Sequence, residues 1–241
     1  MTDDQHLSQI VTLWSVVRRA HDGQADSIRS AQEEMLDRYG GAVRRYLLGA
    51  LRDPDAADEV FQEFALRFVR GDFQSADPQL GRFRSYLKTV VYRLIVDHQR
   101  RRNRQARNQP LPEDGPLFTA ETDIESDERF LQSWREELLA RAWQGLEDSS
   151  DREGSLHYHV LRLRAERPDL RSAEIAEQLS RTHGKPLTAG NIRVLLHRAR
   201  QKFAERLLEQ VSHSLASGDR EQVEQELITL NLHDYCRDCL G

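Results

Sequence analysis

The chain has 241 residues, 38% of them hydrophobic and 31% charged, and a formal net charge of −5. At about 100–150 residues per domain, one large or two small domains are expected, and a charged share above the ~25% average suits small helical domains with much surface. No apolar run approaches the ~20 residues that span a bilayer, no basic stretch leads into an apolar segment at the start, and two cysteines cannot build a disulfide scaffold. The chain is therefore expected to be soluble and cytoplasmic, with no membrane partner.

The net charge hides a segregation. Arg82–Arg107 holds nine basic residues against the single acid Asp97, whereas Pro112–Glu128 holds seven acids and no base. Ala189–Arg206 holds five bases against Glu205, and Leu207–Gly241 holds seven acids against two bases. Two basic segments, each followed by an acidic one, argue locally for nucleic acid. The only lysines are Lys88, Lys185 and Lys202. The many arginines offer planar donor forks that suit phosphates and base edges.

In chain order, apolar residues recur at helical spacing in the sets Ile10, Leu13, Trp14 and Val17; Met35, Tyr39, Val43, Tyr46 and Leu47; and Val60, Phe61, Phe64, Ala65 and Phe68. Asp53 reads as an N-cap with Pro54 at the first helical position, and Gly71 as the end of that helix. Residues 72–82 read as a loop, and a long helix is predicted from Phe83 to about Arg104. The acidic stretch 108–129, with three prolines and no period, reads as a flexible linker. Helical pattern resumes at Phe130 with Leu131, Trp134, Leu138, Leu139 and Ala142. It continues through Tyr158–Arg164, Ser172–Ser180 and Thr188 to about Val211, and a short amphipathic helix is expected in 219–232. No segment reads as a strand. The predicted fold is all-α, with two small helical domains (7–107 and 130–211), the linker 108–129 and an acidic tail, 212–241.

Three features could carry chemistry. The first is a helix-turn-helix. Ser172 is expected to cap one helix, with Glu174 in its first turn and Ile175, Ala176 and Leu179 inside. Thr188 is expected to cap the next, where Ile192, Leu196, Ala199 and Phe203 make one stripe and Arg193, His197 and Arg200 another. Such a second helix reads the major groove, although a solvated helix of an ordinary bundle would carry similar stripes. The intervening turn, Arg181–Thr188, is long for the motif. The second feature is the helix from Phe83, with Arg84, Lys88, Arg93, Arg100–Arg102, Arg104 and Arg107 on it or just after it, among Phe83, Tyr86 and Tyr92. It suits phosphate neutralisation and stacking on unpaired bases, or equally a solvated helix end beside core-edge tyrosines. The third is the tail His233-x-x-Cys236-x-x-Cys239. It offers three of the four ligands of a structural zinc site, a redox pair, or no function. No phosphate loop, nucleophile elbow or zinc-protease motif occurs, so neither an enzyme nor a cofactor is expected.

The arrangement resembles a bacterial sigma-70 family sigma factor of the small extracytoplasmic-function type. Ala56–Phe64, Gly81–Leu87 and Ile95–Arg102 are similar to sigma region two. Glu174-Ile175-Ala176, Asn191-Ile192-Arg193 and His197–Arg200 are similar to sigma region four. The resemblance implies core RNA polymerase and promoter DNA as partners and leaves an anti-sigma factor open. It implies polymerase docking by Asp58, Glu59 and Gln62. It implies minus-ten contacts by Arg82, Arg84, Tyr86, Lys88, Arg93, Arg100 and Arg101, and minus-thirty-five contacts by Thr188, Asn191, Arg193, His197 and Arg200. The chain departs from the family at Arg93, where an Asn is usual, and at Leu195, where a polar residue is common. A stand-alone helix-turn-helix regulator of duplex DNA is the alternative.

Overall fold

A computed structural model describes residues 25–70, 83–107, 120–215 and 219–239. The described residues are helical, with no strand among them. They comprise α1 (Ala25–Leu51), α2 (Pro54–Arg70), α3 (Phe83–Arg107), α4 (Ala120–Glu153), α5 (His157–Glu166), α6 (Ser172–His183), α7 (Ala189–His213), α8 (Arg220–Thr229) and α9 (His233–Cys236), followed by the 3-10 turn Arg237–Cys239. The expected helix around Ile10–Val17, the end of α2 at Gly71 and the loop to Arg82 lie outside the described residues. No described helix is long and apolar enough to cross a membrane.

The described chain divides into two compact units. The first contains the described residues up to Glu137 and those within Ser212–Gln222; the second contains Leu138–Val211 and the described residues from Val223.

In the first unit, α1 turns into α2 through Arg52, held at φ 53, and Asp53. The Asp53 carboxylate accepts the N–H groups of Asp55 and Ala56 at 3.2 Å each, and its carbonyl accepts that of Ala57. This is the N-cap that the sequence signals, and it satisfies donors that the helix itself cannot. Gly40 lets α2 come close, since a Cβ there would sit 3.3 Å from the Phe61 ring. The core is Met35, Tyr39, Val43, Tyr46 and Leu47 from α1, Val60, Phe64 and Phe68 from α2, and Phe83, Leu87, Val91, Leu94 and Ile95 from α3. Phe130 and Trp134 of α4 complete it. Trp134 stacks on Tyr39 at 4.9 Å and 9°, and Phe130 meets Tyr46 edge-on at 5.2 Å.

Two expectations are adjusted here. Residues 120–129, expected in a linker, begin α4. Phe130 and Trp134, expected to open the second domain, are core residues of the first.

In the second unit, α5–α7 and the later turns of α4 enclose Leu138, Ala142, Leu146, Val160, Leu161, Ile175, Ala176, Leu179, Ile192, Leu196, Ala199 and Phe203. Trp143 lies 4.8 Å from the Phe203 ring and 6.1 Å from Tyr158. Lys202 of α7 grips both carboxylate oxygens of Glu153 at 2.6 and 2.8 Å and holds that carboxyl below the usual carboxylate range. The tail belongs to this core as well. Val223, Leu227, Leu230, Leu232 and Cys236 are buried, and Tyr235 lies 6.4 Å from Phe203.

Candidate nucleic-acid interface

The first unit presents α2 and α3. On α2, Val60, Phe64 and Phe68 face inward, which leaves Asp58, Glu59 and Gln62 exposed. Asp58 pairs with Arg44 of α1 at 3.2 Å, and the Arg44 guanidinium also caps the Phe61 ring at 4.7 Å. Glu59 approaches Nδ1 of the buried His98 of α3 at 3.6 Å. An exposed pair such as Arg44–Asp58 contributes about 0–1 kcal/mol, so the Asp58 carboxylate can exchange partners cheaply.

On α3, Arg93, Arg100 and Arg101 are exposed, while Arg84, Tyr86 and Lys88 are half-buried; Arg82 lies outside the described residues. Counted at about 100° per residue, Arg93, Arg100 and Arg104 fall on one stripe, so the exposed Arg104 joins the expected set. Arg104 already belongs to the arginine cluster read from the sequence, though not to the residues that the resemblance placed at the minus-ten element. Arg102 is tied to Asp53 at 3.4 Å, and the Lys88 ammonium pairs with Asp127. Tyr86 sits 6.3 Å from the Phe83 ring and lines an apolar hollow with Met35, Phe64, Phe68, Leu87 and Val90. One part of its ring is therefore committed to the core.

The second unit presents α6 and α7. Ser172 is the first residue of α6 and not its cap. Arg171, in extended backbone, holds the cap position, and its N–H donates to the Glu174 carboxylate at 2.6 Å. The helix runs on to His183 and stops at Gly184, whose φ of 65 makes a left-handed cap with its N–H on the Ser180 carbonyl. The turn is thus Gly184–Thr188, shorter than expected. Ser180 staples it, because its hydroxyl accepts the Leu187 N–H at 2.9 Å. Thr188 caps α7 reciprocally. Its Oγ1 accepts the Asn191 N–H at 3.2 Å and donates to Asn191 Oδ1 at 2.8 Å, and its own N–H reaches the same Oδ1 at 2.9 Å. Two of the five residues expected at the upstream DNA element therefore also set the angle at which the helix starts.

Along α7, Ile192, Leu196, Ala199 and Phe203 are buried, whereas Arg193, His197 and Arg200 are exposed. Helix periodicity separates the two stripes as expected. Val194, Arg198 and Gln201 are exposed too, so the solvent face is wider than the stripe read from sequence.

At the tail, the first cysteine of the motif is a core residue. Cys236 is buried, with Sγ 3.9 Å from the Ala204 carbonyl, and burial pushes its thiol up to about 12. His233 faces Glu224 at 3.8 Å. Among the described residues, no group of three His, Cys, Asp or Glu side chains could hold a metal ion. Cys236 is a small apolar core residue, as free cysteines often are.

Residues 35–105 match the family model for sigma-70 region 2. Neither the curated proteins nor the solved structures include a match to the chain. The matched segment runs from Met35 of α1 through α2 into the last turn of α3, the helices that build the exposed acidic and basic faces described above.

Proposed function

We propose that this chain is a sigma factor of the extracytoplasmic-function type, a dissociable subunit that gives core RNA polymerase its promoter specificity. The observation that carries the reading is the match of residues 35–105 to sigma-70 region 2. In this reading α2 docks on the polymerase through Asp58, Glu59 and Gln62. The basic face of α3 holds the strand backbone of the minus-ten element, and α7 lies in the major groove of the minus-thirty-five element. The chemistry supports this division. Exposed arginines at the end of α3 neutralise phosphates without reading sequence. An exposed cationic stripe on the second helix of a helix-turn-helix reaches base edges. No catalytic step is assigned to the chain. Two modules on one chain raise each other's effective concentration on a promoter.

Replacing Asp58 and Gln62 together by Ala is expected to weaken binding to core polymerase at least tenfold while the helical circular-dichroism signal stays unchanged. Equal affinity of variant and parent in a polymerase-binding titration would remove the assignment. Arg193→Ala is expected to weaken recognition of the upstream duplex by ~1–3 kcal/mol at one base position. A loss spread evenly over all sequences would make Arg193 a phosphate contact instead.

The second reading, a stand-alone duplex-binding regulator, is supported by one observation: α6 and α7, two capped helices joined by the turn Gly184–Thr188, lie beyond the segment that matches region 2. Binding to duplex DNA with unchanged affinity in the presence and absence of core polymerase would favour it.

A further inference from the structure

We propose that Val194 is a specificity-determining residue that packs against the C5-methyl group of a thymine in the duplex read by α7. This rests on the reading of α7 as the groove-reading helix. Taking Ile192 as the centre of the buried stripe, at about 100° per residue Val194 lies at about 200°, nearly opposite. It is 51% exposed. Around it on the solvent side stand Arg193, His197, Arg198, Arg200 and Gln201, all exposed. A single exposed apolar residue is ordinary on a protein surface; the position of this one is not arbitrary. It sits at the middle of a face whose other members are cationic or hydrogen-bonding. A β-branched residue is also a poorer helix former than the Arg, Lys or Gln that would suit an exposed site.

When a cationic helix enters a major groove, its flanking arginines meet phosphates and purine edges, and the centre of its face comes closest to the floor. The only apolar group that B-DNA offers on that floor is the thymine methyl. Val194 can neither donate nor accept a hydrogen bond, so facing a cytosine amino group or a guanine oxygen would strip water from it without compensation. The complementary target is a T·A pair at one position, bracketed by pairs that the arginines and His197 read.

The test uses the full chain loaded on core RNA polymerase and the upstream duplex enriched from a randomised pool. Each thymine of that duplex is replaced singly by deoxyuridine, which removes only the methyl group. One replacement is expected to weaken the parent chain about fourfold, the worth of one buried methyl-sized group. Val194→Ala is expected to bind the thymine duplex about fourfold more weakly and to be indifferent to that replacement. Because the position is exposed, the helical signal of the variant should match the parent. An enriched duplex without thymine, a parent insensitive at every thymine, or a Val194→Ala variant with the same sensitivity as the parent would each overturn the assignment and leave the sigma-factor reading standing. Failure to enrich any upstream duplex would overturn that reading, and the assignment with it.

Discussion

Deleting residues 219–241 is expected to unfold the C-terminal unit. Val223, Leu227, Leu230, Leu232 and Cys236 are each at most 1% exposed. Burying one such side chain contributes about 1.5–3 kcal/mol, so five contribute roughly 8–15 kcal/mol as an upper estimate. Domain stabilities are themselves about 5–15 kcal/mol. The tail also covers α7 directly, with Cys236 against the Ala204 carbonyl and Tyr235 beside Phe203. Its loss would bare the buried side of the helix that carries the candidate DNA contacts. Circular dichroism with urea titration of the truncated chain should show the helical signal reduced and the unfolding transition of this unit lost. A truncated chain that keeps a cooperative transition at the parent's urea midpoint would show the tail to be an accessory arm.

Trp134→Ala is expected to cost the N-terminal unit about 3–5 kcal/mol, in the range of other buried Trp→Ala changes. The ring is 1% exposed, stacked on Tyr39 at 4.9 Å and 6.1 Å from Phe130. Trp134→Phe should cost much less. It keeps an aromatic on Tyr39 and removes a buried Nε1 that has no hydrogen-bond partner among the described residues. Urea denaturation of the two variants compares them. Equal, small losses would place Trp134 outside the core. The same arithmetic predicts that a fragment ending at residue 129 lacks part of its core.

Helix periodicity explains which parts were legible. In α1, α2 and α7 the apolar residues recur so regularly that the buried faces can be read from spacing alone, and Asp53-Pro54 announces its own cap. Periodicity says which face of a helix is apolar, but not which unit that face covers. Phe130 and Trp134 carry the same pattern as Leu138 and Ala142, so only the packing assigns them to the first unit. The range read as helical, Ser172–Ser180, stops three residues before the end of α6 at His183. The decisive signal was Gly184, whose left-handed conformation closes the helix at little steric cost. At the tail, Cys-x-x-Cys drew attention to metal chemistry, while the apolar spacing of Val223, Leu227 and Leu230 already described a packed helix. Val194 is apolar, so spacing alone does not separate it from a core position, and only the exposed face of α7 shows that it points to solvent.

The central claim is that this chain works as a promoter-recognising subunit of RNA polymerase. The most direct test is to incubate the purified full chain with bacterial core RNA polymerase, isolate the complex, and transcribe a pool of randomised promoters. The sigma-factor reading predicts a stable complex and transcripts from promoters sharing two separated elements, with the upstream element alone weakened by Arg193→Ala. Absence of binding to core polymerase, together with tight binding of the free chain to one duplex site, would contradict it.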